Sequence, residues 1–409
     1  MTDAQTTGSR FDRGLPVDLH PLVYLEEGEE VTVGRADVDS YAILPADGAA
    51  LIRELAAGRT PAQAADWYLA EYGENVDIDD VLACLDELGF LRASEEAVAV
   101  AEPIRWQRLG AALFSPAAWF VYAAVFGWAI VVTFLRPDLA PRPRNIFFTE
   151  YYTLVNVVLF AVAIPLVLLH EAFHALAGRR LGVRSTLTVG RRLYFIVLET
   201  SLDGLVAVPR RKRYLPILAG MFADLLGIAV LTIVADLTRA GDGTLAPTGK
   251  LCLAIVFAAF MRVVWQFFFY LRTDIHVLIS TVLGCVDLHT TAKRALVNRW
   301  HDLRGRPDRK SDPGLWHPAD RKAARWYSWL IVVGYTVSLS TVVFTGFPIA
   351  YQTFTGVLGR AGGDATVVQR LDSIVFLLLF LGEVAVFGWL LVRDRRNRLR
   401  ARRFEHVIS

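Results

Sequence analysis

Sulfur is scarce in this chain: three cysteines and three methionines in 409 residues. Cys84, Cys252 and Cys285 fall at no metal-ligand spacing and are too few for a disulfide framework, which excludes both a thiolate metal site and a cystine-stapled fold. Cys252 and Cys285 lie in or beside apolar segments, where a thiol acts as a small hydrophobe. Basic charge is scarce near the N-terminus. Between Pro16 and Val100 only Arg35, Arg53, Arg59 and Arg92 stand against nineteen Asp and Glu, a formal −15. That balance excludes nucleic acid as a partner of this region, because phosphate binding needs Lys and Arg. The first hundred residues also lack a basic-then-apolar start. The expectation is therefore that there is no signal peptide, that the N-terminus stays in the cytosol, and that the first span inserts itself.

What is abundant is apolar surface. Hydrophobic residues make up 54% of the chain and the mean hydropathy is +0.39, against roughly 45–50% apolar in soluble proteins. The excess sits in blocks of about 20 residues, enough to cross a bilayer as helix. Six spans are expected near 111–134, 153–177, 214–237, 248–271, 326–350 and 371–392. Since the total charge is +2, the chain outside the acidic window carries about +17. Its Lys and Arg gather at Gly178 to Ser185, at Arg210 to Arg213, in the loop 290–325 and after Arg393. These fall on one side if both termini are cytosolic, in line with the positive-inside rule. Arg136, Arg142 and Arg144 run against it.

The expected fold is an α-helical polytopic protein of the cell membrane, with about six spans and a small N-terminal α/β, winged-helix-like cytosolic domain. Residues 1–15 read as disordered, 16–95 as the domain, 96–110 as a linker, 111–393 as the membrane part and 394–409 as a basic cytosolic tail. In the domain, Leu22–Leu25, Glu29–Val33 and Tyr41–Leu44 read as strands and Phe90-Leu91 as a short return strand. Helices are expected over Asp47–Ala57, from Thr60-Pro61 to Tyr72, and over Asp77–Leu88, each closed by a glycine. Residues 186–208, rich in β-branched and aromatic types, read as a hairpin against the membrane face.

His170-Glu171-Ala172-Phe173-His174 carries the chemistry. On a helix, positions i and i+4 share a face, so both imidazoles reach one metal ion, with Glu171 beside them as general base. The run interrupts the apolar stretch Leu154 to Leu169, and three ionisable groups in five positions of a span are costly without partners. His174 lies roughly 6 Å of helix rise from Gly178, taken as the cytosolic end, so the site is expected inside the membrane and close to the cytosol. A catalytic zinc takes three protein ligands and keeps a fourth position open. Asp274, read as the cytosolic end of the fourth span, is the expected third ligand. His276, Asp287 and His289 are rivals, and an Arg272–Asp274 ion pair is the competing reading.

With these residues, and with Leu218-Ala-Gly220-Met-Phe-Ala-Asp224 opening the next span, the stretch 150–290 resembles the site-2-protease family of intramembrane zinc metalloproteases. The resemblance implies Zn2+ on His170, His174 and Asp274, Glu171 as the base, and substrate contacts at Gly220 and Asp224. The reaction implied is hydrolysis of a peptide bond in a substrate paired by strand addition to 186–208. The sequence departs from the family twice. Asp224 stands where Gly-x-x-x-Asn is usual, and Thr273-Asp274-Ile275 where Leu-Asp-Gly is common. An ionised Asp cannot donate a hydrogen bond, so Asp224 is protonated, binds metal or orients another group. Residues 17–95, with Asp47-Gly48 and Leu88-Gly89-Phe90-Leu91 as landmarks, resemble the PqqD-like peptide-recognition domain. That implies binding of a leader peptide as an added strand, in a groove between Glu29–Val33 or Tyr41–Leu44 and Asp77–Leu88. The expected partners are thus a peptide substrate and the lipid bilayer. The alternatives are a non-enzymatic membrane protein that escorts a peptide for export, a metal-dependent transporter, and, for the N-terminal domain, a regulatory module.

Overall fold

A computed structural model describes residues 11–38, 40–92, 103–192, 195–201, 203–362 and 365–408. The disorder expected over residues 1–10 and the linker over 96–102 lie outside the described residues. Most of the described chain is helical, with a small N-terminal antiparallel sheet and six helices long and apolar enough to cross a membrane. It divides into two compact units. The first takes 1–111, 175–186 and 201–214; the second takes 112–174, 187–200 and 215–409.

In the first unit β1 (Val23–Glu27), β2 (Glu30–Arg35) and β3 (Ser40–Pro45) pair antiparallel in that order, with Val23 opposite Gly34 and Thr32 opposite Ile43. Gly28 closes the first hairpin at φ 73°, a left-handed position that side chains resist. Val31 and Val33 of the central strand enter a core with Leu51, Leu55, Leu82 and Phe90. Its other walls are α1 (Ala46–Ala56), α2 (Pro61–Tyr72) and α3 (Ile78–Glu87). Thr60 and Gln63 cap α2 reciprocally, and Asp77 caps α3. Tyr68 donates to Asp47; the contact holds that carboxyl below its usual range and pushes the phenol up to about 12. Order begins before residue 16: Phe11 packs on the core and Arg13 donates to Asp79 at 3.2 Å. Phe90-Leu91 returns as a single bridge, Leu19 to Leu91. The acidic sheet meets the arginines of 175–186 and 201–214. Glu27 accepts from the Arg213 guanidinium and from the Arg210 backbone N–H, each at 2.8 Å, and Arg184 donates to the Asp37 carbonyl at 3.0 Å.

The second unit follows α4 (Gln107–Leu113). It contains α5 (Pro116–Leu135), α6 (Tyr152–Arg180, whose last turns fall in the first unit) and the hairpin β4 (Thr186–Arg192) and β5 (Phe195–Ser201). Then come α7 (Arg210–Leu237), α8 (Pro247–Trp265), α9 (Asp274–Leu283), α10 (Leu288–Leu303), α11 (Pro318–Thr341), α12 (Phe347–Gly362) and α13 (Val367–Ile408). The first span starts at Pro116 rather than 111, because Ser115 caps a new helix there. The fourth ends at Trp265 rather than 271. A tight turn at Phe269–Leu271 and a left-handed Arg272 follow, so Asp274 opens α9 instead of ending a span. A π-helical turn at Val342–Gly346 joins α11 to α12, and α13 runs on past 392. Asp372 of α13 accepts from the free N–H groups of Tyr152 and Thr153 at 2.9 and 3.0 Å, capping α6 from a distant helix.

Candidate metal centre

α6 carries His170 and His174 one turn apart, and the first turn of α9 brings Asp274 to them. The ligand atoms of the three lie within 4.8 Å of one another, and no other such group of three occurs among the described residues. His170 Nε2 is 3.1 Å from His174 Nε2. Asp274 Oδ2 is 3.3 Å from the first and 3.5 Å from the second. Tetrahedral zinc with bonds of about 2.0–2.1 Å requires ligand–ligand edges of about 3.3–3.4 Å.

His170 Nδ1 faces Asp224 Oδ2 at 2.9 Å, and His174 Nδ1 donates to the Pro216 carbonyl at 2.7 Å. With neutral rings whose Nδ1 atoms donate, each Nε2 offers a lone pair toward the other and toward a carboxylate oxygen. A cation among three acceptors that close offsets their repulsion, so the donor set fits a divalent metal. Both imidazoles are 7% exposed, which strengthens the requirement.

The supports come from α7, from α8 and its C-terminal cap, and from the hairpin. Gly220 sits against the ring nitrogens: a Cβ there would lie 2.3 Å from His174 Nε2 and 2.5 Å from His170 Nε2. No other residue leaves room for a metal and its open position. Asp224, one turn further along α7 and 3% exposed, is gripped by Arg262 of α8 through both carboxylate oxygens, at 3.0 Å from Nε to Oδ2. Of the three roles open to Asp224, it takes that of orienting another group. Gln266 donates to Asp274 Oδ2 and accepts from the Asp274 backbone N–H, each at 3.0 Å, which fixes the start of α9. Glu171, 9% exposed, accepts from the Thr200 backbone N–H at 2.8 Å, and its carbonyl accepts from Thr200 Oγ1 at 3.1 Å. The general-base candidate is thereby tied to the end of β5.

The rival ligands form a separate group. His276 Nδ1 faces the Tyr327 hydroxyl at 2.5 Å and its ring stands 5.3 Å from that of His289. Asp287 caps α10 and pairs with Arg272 at 3.7 Å, so Arg272 is engaged there rather than with Asp274. Arg262, Gln266, Thr200 and the Pro216 carbonyl were not singled out from sequence. A signal existed for Arg262: it is the one charge in the apolar run Leu251 to Leu271, and such residues usually have a partner and a task.

Removing that charge makes a direct test. Arg262→Met should weaken metal binding about 10–100-fold, the usual effect of losing support behind a ligand, because Asp224 is left buried and unpaired. Adding Asp224→Asn should recover most of the loss, since the amide oxygen still accepts from His170 without needing a cation. Zinc competition titration against a chromogenic chelator reads both variants; unchanged affinity in Arg262→Met would mean the pair serves packing alone. No protein-family model, curated protein or solved structure matches the chain.

Proposed function

We propose that the chain is a membrane-embedded zinc metalloprotease of the site-2-protease kind, with both termini cytosolic and a PqqD-like N-terminal domain that presents the substrate. The observation that carries this is the convergence of His170, His174 and Asp274 with lone pairs facing inward, and Glu171 adjacent on the same helix. A donor set of two imidazoles and one carboxylate with a position left open suits catalytic zinc. The six apolar helices support the membrane setting.

Zinc bound there would polarise a scissile carbonyl and ease deprotonation of water. Glu171 would take that proton on its carboxylate and pass it to the leaving amine. Thr200 holds the carboxylate in place for both transfers, and Gly220 keeps the approach open. A substrate strand could pair with the β4–β5 hairpin that holds Thr200 near its end, and a leader could add to an edge of the N-terminal sheet, β1 or β3.

The purified protein in detergent should cut a pool of quenched fluorescent peptides. A zinc chelator should reduce the rate to background, and stoichiometric zinc should restore it. Cleavage that persists after chelation, with zinc verified absent, would remove the metalloprotease reading. Absence of cleavage with zinc present would favour a peptide escort with a metal-holding site.

A further inference from the structure

The first half of α13 is packed: Ser373 and Phe376 are buried. The second half is not. From Leu381 to Phe387 seven successive residues are exposed, close to two full turns. Leu381, Val384, Val386 and Phe387 are what a lipid-facing surface would carry. Glu383 is not. No hydrogen bond or ion pair reaches it among the described residues. Arg393, ten residues on, stacks over Trp389 at 5.3 Å, the pairing of a membrane–water interface. Helix rise puts Glu383 about 15 Å from Arg393, near the middle of a ~30 Å hydrocarbon core. A carboxylate at that depth is costly and calls for a partner, and the described residues supply none.

We propose that residues 381–387 of α13 form a docking surface for a transmembrane helix of another protein, one that carries a lysine or arginine at mid-membrane depth, with Glu383 as the selecting residue. The inference rests on the membrane reading above. Charge decides the occupant. A second copy offers only another acid: ionised, the two carboxylates repel, and protonated, they share hydrogen bonds without any opposite charge to pair with. A basic side chain at matching depth neutralises the carboxylate and lets the exposed Leu381 and Val384 pack against a helix instead of lipid.

The test uses the full-length protein in phosphatidylcholine vesicles with a donor fluorophore. The probes are acceptor-labelled leucine-host helices that carry lysine, leucine or glutamate at the centre. The lysine helix should associate with the parent protein and with Glu383→Asp, and about tenfold more weakly with Glu383→Gln, the size of one strong interhelical polar contact in lipid. The leucine and glutamate helices should stay at random-encounter transfer. Equal binding of the lysine helix to parent and Glu383→Gln overturns the proposal alone, as does self-association of the parent that Glu383→Gln abolishes. Release of the protein from vesicles by alkaline carbonate overturns the membrane reading and this proposal together.

Discussion

Glu171→Gln is expected to lower peptide hydrolysis roughly 10²–10⁴-fold, the range for losing a general base, while zinc content stays at the parental level. The amide matches the carboxylate in size and can still accept from the Thr200 N–H that holds Glu171 at 2.8 Å. It cannot take a proton. The two imidazoles and Asp274 are untouched, so metal binding and activity should separate. Measured together, turnover of quenched peptides and zinc per chain decide the matter. Full activity in Glu171→Gln would strip Glu171 of its role, and loss of zinc along with activity would show that the residue serves the site's structure.

The second large effect is on the metal itself. His170→Ala or Asp274→Ala should reduce bound zinc from about one ion per chain to background after dialysis. If four ligands share the ~10–16 kcal/mol of a well-formed zinc site evenly, each contributes about 2.5–4 kcal/mol, or roughly 10²–10³-fold in affinity. His276→Ala is the matched control. It removes an equally buried imidazole, 8% exposed against 7% for His170, but one that faces Tyr327 instead of the triad. Inductively coupled plasma mass spectrometry of the three variants should find zinc only in His276→Ala. Zinc retained in His170→Ala would sink the proposed centre.

Several features were legible because they follow from local rules. The spacing of His170 and His174 needs only helix period to place both on one face. The end of α2 at Tyr72 follows from Gly73, and its start from the Thr60-Pro61 pair. The six apolar helices were visible as runs long enough for a bilayer. Hydropathy carries the fourth span through to residue 271 because Phe267, Phe268 and Phe269 look like more of the same apolar helix. Hydropathy does not register that the Thr273 hydroxyl donates to the Gln266 carbonyl while the Gln266 side chain bonds to Asp274, replacing the helical ladder with a turn.

The roles of Asp224 and Arg262 show the limit most clearly. Nothing local distinguishes an Asp that binds metal from one that orients a histidine, so sequence left three roles open. The two residues lie 38 positions apart on different helices, and only packing brings the guanidinium onto the carboxylate and the carboxylate onto His170. Sequence by itself determined that this chain has an apolar helical majority, a small acidic N-terminal domain and a pair of histidines set to share an ion. The tertiary structure alone decided which acid joins them, which carboxylate stands behind them and why Gly220 has no side chain. Periodicity and composition act over a few residues, whereas a metal site is a meeting of distant segments whose geometry exists only once the helices have packed.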